Sequence, residues 1–247
     1  MVATGGEPRD AAERAVALAR EGAVGALVKG SLHTDALMAA VVHKTHGLRG
    51  ERRISHAFVF DLPRYPKLLA LADCVVNIAP HAQAKRAIVS NAIALLRTLG
   101  ISRPKVGIVA AVETINPAIQ ATLDAQTLVA LAAAGEWGDA IVEGPLGFDN
   151  AVSLEAARTK GIESHVAGDA DLLIVPDLNA GNLLYKSFVY IGGGECAGLV
   201  LGVRVPIVLT SRADSVHSRV ASVALAMLAS AQGSPFESAI GVDKARR

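Results

Sequence analysis

Short apolar segments alternate with longer amphipathic segments along most of this chain, and this alternation limits the possible folds more than any other feature. Residues 25–28, 54–60 and 105–109 have the length and apolar character of buried strands. We also predict strands at 73–78, 139–143, 171–175, 197–200 and 206–209, and helices at 11–21, 35–46, 80–99 and 215–230. Strands and helices in such succession are typical of a largely parallel sheet covered by helices. The sequence therefore predicts an α/β fold.

The composition agrees with this fold class and argues against two classes of partner. Hydrophobic residues make up 51% of the 247 residues and aromatic residues only 4%. The apolar content is therefore mostly Ala, Val, Leu and Ile, which fill the buried faces of parallel sheets. The 24 basic and 23 acidic residues balance to a formal charge of +1, too even for a surface that binds nucleic acid or an anionic membrane. We expect neither partner.

The cysteines and the N-terminal residues indicate a cytoplasmic protein. Cys74 and Cys196 lie in apolar or glycine-rich surroundings without CxxC or His/Cys spacing, so we expect buried free thiols rather than a disulfide or a metal site. No apolar run has the length of a transmembrane span, and residues 1–10 lack the apolar core of a signal peptide. The prediction is a cytoplasmic protein that binds no metal.

A domain boundary is predicted near Pro104. The strand pattern restarts directly after this residue, and a strand that begins after a proline is a reasonable place for such a boundary. We therefore predict two α/β units, which could be discontinuous along the chain.

Two segments that leave predicted strands carry groups suited to an anion. In residues 29–34 a lysine, a glycine and hydroxyls precede a helix N-terminus, where backbone N–H groups and the helix dipole attract negative charge. In residues 176–186 a glycine permits close approach of a ligand, and an asparagine and a lysine one turn apart share a helix face. An ordinary capped turn and the start of a surface helix are the alternatives. The candidate residues are Lys29, Gly30, Thr34, Gly181, Asn182 and Lys186.

Three further candidates lie between an apolar strand and the last predicted helix. Arg212 offers a fork of donors to an anionic oxygen, and Ser211 could hydrogen-bond an oxyanion. Asp214 could accept a proton or orient Arg212. Alternatively, Asp214 only caps the helix and Arg212 is solvated.

These segments are expected to meet, because ligands of open α/β sheets bind beyond the carboxyl ends of the strands. We predict that residues 29–34, 181–186 and 211–214 converge on one cleft. Residues 144–150 also follow a strand and could form a pocket wall. A structural loop in which Asp149 caps the next helix is the simpler explanation for them.

The surrounding sequence argues against each of three other kinds of site. Gly192-x-Gly194 mimics a dinucleotide-binding fingerprint, but too little chain follows before Pro206 for the crossover helix. His43 and His46 have no third ligand at metal spacing. No serine lies in a GxSxG elbow and neither cysteine neighbours a base, so a covalent acyl-enzyme is not indicated.

Several stretches have an order and spacing that are specific to one family. They include Lys29-Gly30 with Thr34, Ser55-His56, Asp73 with Asn77-Ile78-Ala79-Pro80, Lys85 with Asn91-Ala92, Gly144-Pro145-Leu146 with Phe148-Asp149-Asn150, Ala180-Gly181-Asn182 with Tyr185-Lys186, and Ser211-Arg212-Ala213-Asp214. In these stretches the chain resembles the phosphate acetyl/butyryltransferases, and the butyryltransferase branch more than the acetyltransferase branch. The similarity extends from about Ala12 to about Leu228.

The resemblance implies an enzyme that catalyses acyl-CoA + phosphate ⇌ acyl phosphate + CoA by direct transfer, with coenzyme A as a co-substrate and no tightly bound cofactor. It implies that Arg212 holds phosphate, that Ser211 stabilises the developing oxyanion or the thiolate, and that Asp214 is the candidate thiol base. The substrate-binding residues that it implies are Lys29, Gly30, Thr34, His56, Asn77, Lys85, Pro145, Asp149, Gly181, Asn182 and Lys186.

The resemblance also implies a fold similar to that of the isocitrate and isopropylmalate dehydrogenases. Two α/β domains with parallel or mixed sheets and helices on both faces would enclose a cleft, and the common state would be a homodimer. The first domain would comprise residues 1–104 together with 207–247, and the second domain residues 105–206.

Two departures from the family pattern leave an alternative open. Family members usually begin with a further strand and helix before the segment that matches Ala12, so we expect part of the first domain's sheet to be missing. The acetyltransferase branch has an aspartate, its presumed thiol base, where this chain has Ser218. The alternative is a non-catalytic form that binds CoA or an acyl phosphate, or one part of a larger fused enzyme.

Overall fold

The computed structural model of this chain describes residues 6–209 and 213–231, which form an eight-stranded mixed sheet covered by helices on both faces. The strands are β1 (Leu27–Val28), β2 (Ser55–Asp61), β3 (Leu69–Ala72), β4 (Lys105–Val109), β5 (Ile141–Leu146), β6 (Leu172–Ile174), β7 (Glu195–Leu201) and β8 (Ile207–Val208). The helices are α1 (Pro8–Arg20), α2 (Thr34–Val41), α3 (Ala82–Thr98), α4 (Gln120–Ala133), α5 (Phe148–Val152), α6 (Leu154–Thr159), α7 (Leu178–Tyr190) and α8 (Val216–Ala231). The strand order across the sheet is β1-β8-β7-β2-β3-β6-β4-β5.

The strands run in two directions. Strand β7 is antiparallel to both of its neighbours, β8 and β2, and β2 is antiparallel to β3. Strands β1, β8 and β2 therefore run one way and the other five run the opposite way. The C-terminal ends of β1, β8, β3 and β6 nevertheless lie close to one row of paired residues that runs across the sheet. The pairs are Val28 with Val208, Ile207 with Val200, Leu199 with Ala57, Ala57 with Ala72, and Ala72 with Ile174.

The alternation of side chains along β2 shows how the two faces are covered. Ala57 and Val59 pack into a core with residues of α3, α4 and α8. Phe58 and Phe60 lie on the other face, in a core with residues of α5, α6 and α7. Helices α1 and α2 form a third core over β1 and β8. The sheet is thus buried on both faces, as its apolar strands predicted.

Most predicted elements are confirmed within a few residues, and β4 has its predicted bounds. The strand predicted at 73–78 is wrong, because β3 ends at Ala72 and the chain then turns. Asp73 stabilises this turn, since its Oδ1 accepts hydrogen bonds from the backbone N–H groups of Val75 at 2.9 Å and Val76 at 3.0 Å.

The predicted α/β class with a mixed sheet is confirmed. The division into residues 1–104 with 207–247 and residues 105–206 stays a prediction, and strands from both parts lie in the same sheet. Cys74 and Cys196 are buried free thiols, as predicted. None of the helices in the described ranges combines the length and apolar character that a membrane crossing requires.

A buried ion pair joins α3 to α4. Lys85 Nζ lies 2.6 Å from Asp124 Oδ2, and both side chains are only 3% exposed. Gln120 Nε2 donates to the other carboxylate oxygen at 3.0 Å. Because a buried charge without its partner is costly, this pair constrains how the two helices pack.

Replacement of Lys85 by methionine is expected to lower the free energy of unfolding by about 3–5 kcal/mol, because Asp124 would stay buried without its cation. Urea denaturation measures this change. The control is Arg9→Met, which removes one partner of the exposed Arg9–Glu13 pair and should cause no comparable loss. If the two variants were equally stable, the buried pair would not have this structural role.

Candidate functional site

A cavity of about 300 Å³ opens on the face of the sheet that carries Phe58, between the start of α2 and helix α7. Its lining residues are Lys29, Leu32, His33, Thr34, Phe58, Val75, Asn182, Tyr185, Lys186 and Leu209. The cavity occupies the gap between the helices that cover β1 and β8 and the helix that covers the middle of the sheet. The structure thus brings together two of the anion-suited segments found in the sequence.

The register of the sheet explains why these segments meet. Strands β1, β8, β3 and β6 all end near one row of paired residues. The chain that follows each strand therefore begins near the middle of the sheet. If all four strands were parallel, the segments that follow them would lie at one edge of the sheet. Here β1 and β8 run opposite to β3 and β6, so these segments approach one another from opposite directions. They meet over the face of the sheet.

Lys29 is buried at the end of β1 and shapes the loop that follows. Its Nζ donates hydrogen bonds to the backbone carbonyls of Gly30 at 3.2 Å and Leu32 at 3.1 Å. Helix α2 begins at Thr34, and His33 occupies the N-cap position. The cavity is therefore bordered by a cation and by the N-terminus of a helix, both of which favour an anion.

Helix α7 supplies the opposite wall of the cavity. Asp177 caps this helix by accepting a backbone hydrogen bond at 2.9 Å. Gly181 lies against the turn after β3, where an added Cβ would come within 2.8 Å of the Asp73 carbonyl oxygen. Glycine therefore lets the helix approach the strand ends closely. Asn182 and Lys186 lie one turn apart and both line the cavity.

Tyr185 lines the cavity but is not among the binding residues predicted from the sequence, although it lies in one of the family stretches. Its ring stacks on Phe58 with the centroids 4.2 Å apart and the planes at 7°. Its hydroxyl donates to Asp214 Oδ1 at 2.9 Å. Burial, and then the charge of Asp214, raises the pKa of Tyr185, so the hydroxyl keeps its proton. Helical spacing was the available signal, since Tyr185 lies three residues after Asn182 and shares its face.

A second carboxylate, that of Glu195 at the first residue of β7, lies beside the start of α8. Glu195 Oε2 accepts hydrogen bonds from the hydroxyls of Ser215 and Ser218, each at 3.0 Å. Burial raises the pKa of the adjacent Cys196 to about 11, so this thiol stays protonated at neutral pH. The carboxylates of Asp214 and Glu195 thus both lie near the start of α8, whereas the cavity walls carry lysines.

The predicted residues Ser211 and Arg212 lie outside the described residues. The chain on each side of them is described. Leu209 lines the cavity, and Asp214 bonds to the cavity residue Tyr185. On one side of Ser211 and Arg212 the described chain thus lines the cavity, and on the other side it contacts a residue that lines the cavity.

His56 lies two residues before Phe58 on β2 and is fully buried. Its ring makes an edge contact with Phe58, with the centroids 4.4 Å apart, and neither ring nitrogen has a hydrogen-bond partner in the described part of the chain. Burial lowers the pKa of His56 to about 3. The histidine is therefore a neutral support beneath the cavity floor.

Four other predicted binding residues make contacts elsewhere in the protein. Asn77 Nδ2 donates to Asp73 Oδ2 at 2.6 Å. Lys85 belongs to the buried ion pair between α3 and α4. Pro145 is buried in β5, and Asp149 lies in the first turn of α5 with its carboxylate 2.8 Å from a lysine ammonium. Their roles as substrate ligands stay predictions.

A larger cavity, of about 710 Å³, lies beside α3 and contains several arginines. Arg53, Arg86 and Arg97 each bond to an amide or carboxylate side chain, at 2.7, 2.6 and 2.9 Å. Their charges are thus engaged within the protein. Within residues 6–209 and 213–231, no three His, Cys, Asp or Glu side chains are grouped as a metal site. We therefore place the candidate site at the smaller cavity.

The family model described as phosphate acetyl/butaryl transferase matches residues 6–227. The chain belongs to this family. The phosphate acetyltransferase of Rhizobium meliloti is 52% identical over 222 residues, which are 90% of this chain and 70% of that protein. A probable phosphate butyryltransferase of Bacillus subtilis (strain 168) is 41% identical over 223 residues, which are 90% of this chain and 75% of that protein.

These identities confirm the phosphate acetyl/butaryl transferase family and do not favour its butyryltransferase branch. Relatives that are named acetyltransferases reach 52% identity, whereas those named butyryltransferases reach 41%. The chain spans 62–75% of the length of the curated relatives that it matches.

Solved structures support the fold of this family member. A branched-chain phosphotransacylase from Enterococcus faecalis V583 has a TM-score of 0.82 at 35% identity, over 90% of this chain and 79% of that chain. A 4-hydroxythreonine-4-phosphate dehydrogenase from Klebsiella pneumoniae has a TM-score of 0.51 at 18% identity, over 90% of this chain and 70% of that chain. The second likeness concerns the fold alone. The predicted relation to a dehydrogenase fold is confirmed.

Gly181→Ala is expected to lower the free energy of unfolding by about 1–3 kcal/mol, because the new methyl group would overlap the backbone after β3. The closest contact, at 2.8 Å, is to a carbonyl oxygen that cannot rotate away. Gly30→Ala is the control, since a Cβ there meets nothing within 4 Å. Equal stabilities of both variants in urea denaturation would contradict the close approach of α7.

The buried His56 should make the protein less stable in acid. Its pKa of about 3 in the folded state is below the unfolded value of about 6.5, so the unfolded chain binds the extra proton between these values. Stability should fall as the pH decreases from about 6.5, by up to about 1.4 kcal/mol per pH unit from this group. The measurement is the free energy of unfolding at several pH values. His56→Leu should flatten the slope, whereas the exposed His165→Leu should retain it.

Proposed function

We propose that this protein transfers an acyl group between coenzyme A and inorganic phosphate: acyl-CoA + phosphate ⇌ acyl phosphate + CoA. The observation that carries the proposal is the cavity that Lys29, Asn182 and Lys186 line together, with a helix N-terminus at its rim. Such a site suits a phosphate anion. Membership of the phosphate acetyl/butaryl transferase family supports the reaction.

In the proposed step, a phosphate oxygen attacks the thioester carbonyl carbon. The new C–O bond forms as the C–S bond breaks, and the electron pair leaves with sulfur. The proton that phosphate gives up passes through Asp214 to the thiolate. In the reverse direction Asp214 accepts the thiol proton and returns it to the departing phosphate. The transfer needs no covalent acyl-enzyme.

The proposal assigns roles to two residues on the basis of the sequence alone. Arg212 would hold phosphate with two parallel hydrogen bonds, and Ser211 would stabilise the developing oxyanion or the thiolate. Both directly precede the described residues Ala213 and Asp214. Lys29 and Lys186 would add positive charge from opposite walls, so that the phosphate charge is met by protein groups.

The size of the cavity limits which part of the substrate it holds. Its volume of about 300 Å³ is at the lower end of the range of about 300–1,000 Å³ for sites of small organic ligands. We propose that phosphate and the acyl thioester occupy it and that the nucleotide part of coenzyme A lies outside. The apolar floor formed by Phe58 would contact the acyl chain.

We further propose that the protein acts as a cytoplasmic homodimer with two α/β domains, and that it needs no tightly bound cofactor. The buried free thiols of Cys74 and Cys196 suit a reducing compartment. Exposed apolar side chains on α8, namely Val216, Val220 and Met227, suit an interface between copies of the chain.

The test of the function is release of CoA from acetyl-, propionyl- and butyryl-CoA in the presence of phosphate. We expect turnover that depends on phosphate, together with formation of the acyl phosphate. Binding of CoA by calorimetry without turnover of any of the three thioesters would support a non-catalytic binding form instead.

Arg212→Lys should lower turnover on the order of 100- to 1,000-fold, because lysine keeps the charge but loses the planar fork of donors. The measurements are kcat and the KM for phosphate. The matched control is Arg158→Lys on the exposed end of α6, which should leave both values unchanged. Near-normal kcat and KM for Arg212→Lys would remove this arginine from the reaction centre.

A further inference from the structure

We infer that Tyr185, which lines the cavity, is a positioning residue whose hydroxyl fixes the neighbouring Asp214 carboxylate. The inference rests on the proposed function, in which Asp214 moves a proton between phosphate and the CoA thiol. It adds a residue that acts through Asp214 and connects that carboxylate to the helix that carries Asn182 and Lys186.

The ring of Tyr185 is held in place on two sides. It stacks on Phe58, with the centroids 4.2 Å apart, and it meets Phe60 at 6.3 Å. Phe58 is in turn supported by the edge contact with His56. Tyr185 is 6% exposed, so its hydroxyl has little freedom to move away from Asp214. A hydrogen bond from such a fixed donor orients its acceptor better than one from a mobile side chain.

The chemistry of the pair gives the hydrogen bond one direction. Burial and the neighbouring carboxylate raise the pKa of Tyr185, so the phenol keeps its proton and donates it to Asp214 Oδ1 at 2.9 Å. A hydrogen bond to a charged acceptor is also stronger than one between neutral groups.

The position of Tyr185 gives this hydrogen bond a functional consequence. Helix α7 carries Asn182, Tyr185 and Lys186 on the cavity wall, while Asp214 begins the chain that leads into α8. The bond between Tyr185 and Asp214 therefore holds a carboxylate at a constant distance from two groups suited to phosphate. Direct transfer depends on such fixed positions, because small displacements of reacting groups are costly in rate.

A purely structural role is the competing explanation, because the same hydrogen bond could serve only to anchor the start of α8. The two explanations predict different kinetics. If Tyr185 acts through Asp214, its hydroxyl matters only while the carboxylate is present, and the effects of two substitutions will not add. If it only stabilises the fold, Tyr185→Phe will lower stability and leave kcat of the folded enzyme intact.

The experiment compares the wild type with Tyr185→Phe, Asp214→Asn and the double variant. Tyr185→Phe removes one oxygen and retains the stacked ring. Tyr190→Phe is the matched control, since Tyr190 is on the same helix but 62% exposed. The readouts are kcat, the KM for phosphate and the urea midpoint of each variant.

We expect Tyr185→Phe to lower kcat by roughly 10- to 100-fold, the usual effect of losing a hydrogen bond to a charged group, with little change in the KM for phosphate. The double variant should be no slower than Asp214→Asn. If Asp214→Asn has no measurable turnover, the double variant is uninformative and Tyr185→Phe alone distinguishes the two roles. A lower kcat with an unchanged KM for phosphate indicates the positioning role, and an unchanged kcat indicates a purely structural one.

Three results would overturn the inference and leave the proposed overall reaction standing. They are a kcat of Tyr185→Phe equal to that of Tyr190→Phe, effects that add in the double variant, and an Asp214→Asn variant as active as the wild type. A wild type that turns over none of the three thioesters would instead overturn the proposed function, and the inference with it.

Discussion

The register of β2 with its two antiparallel neighbours is the constraint on which the rest of this structure depends. Strand β2 pairs with β7 over seven residues and with β3 over four. These pairings join two groups of strands that run in opposite directions. A shift of one residue in either pairing would turn Phe58 to the opposite face of the sheet. The cavity would then lose its floor, and α7 would lose the ring on which Tyr185 stacks.

The turn after β3 extends this constraint to the helices. The carboxylate of Asp73 accepts two backbone hydrogen bonds and one from Asn77, at distances of 2.6–3.0 Å. Burial raises the pKa of Asp73, and these three hydrogen bonds oppose that rise because they stabilise the carboxylate. Gly181 then brings α7 into contact with this same turn. Two unrelated local features, an aspartate turn and a glycine in a helix, thus set the distance between the cavity walls.

Several polar residues of the family pattern serve this framework. Lys85 is paired with Asp124, and Asn77 is bonded to the turn after β3. His56 differs, because its ring nitrogens are buried without partners in the described chain and its neutral state is the less costly one. Residues that share a motif in sequence can therefore support the site from beneath as well as line it.

The sequence by itself determined the α/β class, the positions of most strands and helices, and the family. These features depend on local periodicity and on residues at fixed spacing, which remain visible without a structure. It also selected Lys29, Thr34, Asn182 and Lys186, because lysines and hydroxyls at strand ends or helix starts are a local signal. The strand predicted at 73–78 was wrong because an aspartate turn overrides the apolar pattern there.

Only the tertiary structure decided which of the selected residues meet. Periodicity does not reveal strand direction or order, so the antiparallel centre of the sheet was not predictable from it. Lys85 contacts Asp124, Asn77 contacts Arg53 and Tyr185 contacts Asp214, although the residues of each pair lie 24 to 39 positions apart. Such contacts arise from packing around the whole sheet, because the side chains become neighbours only after the strands have paired.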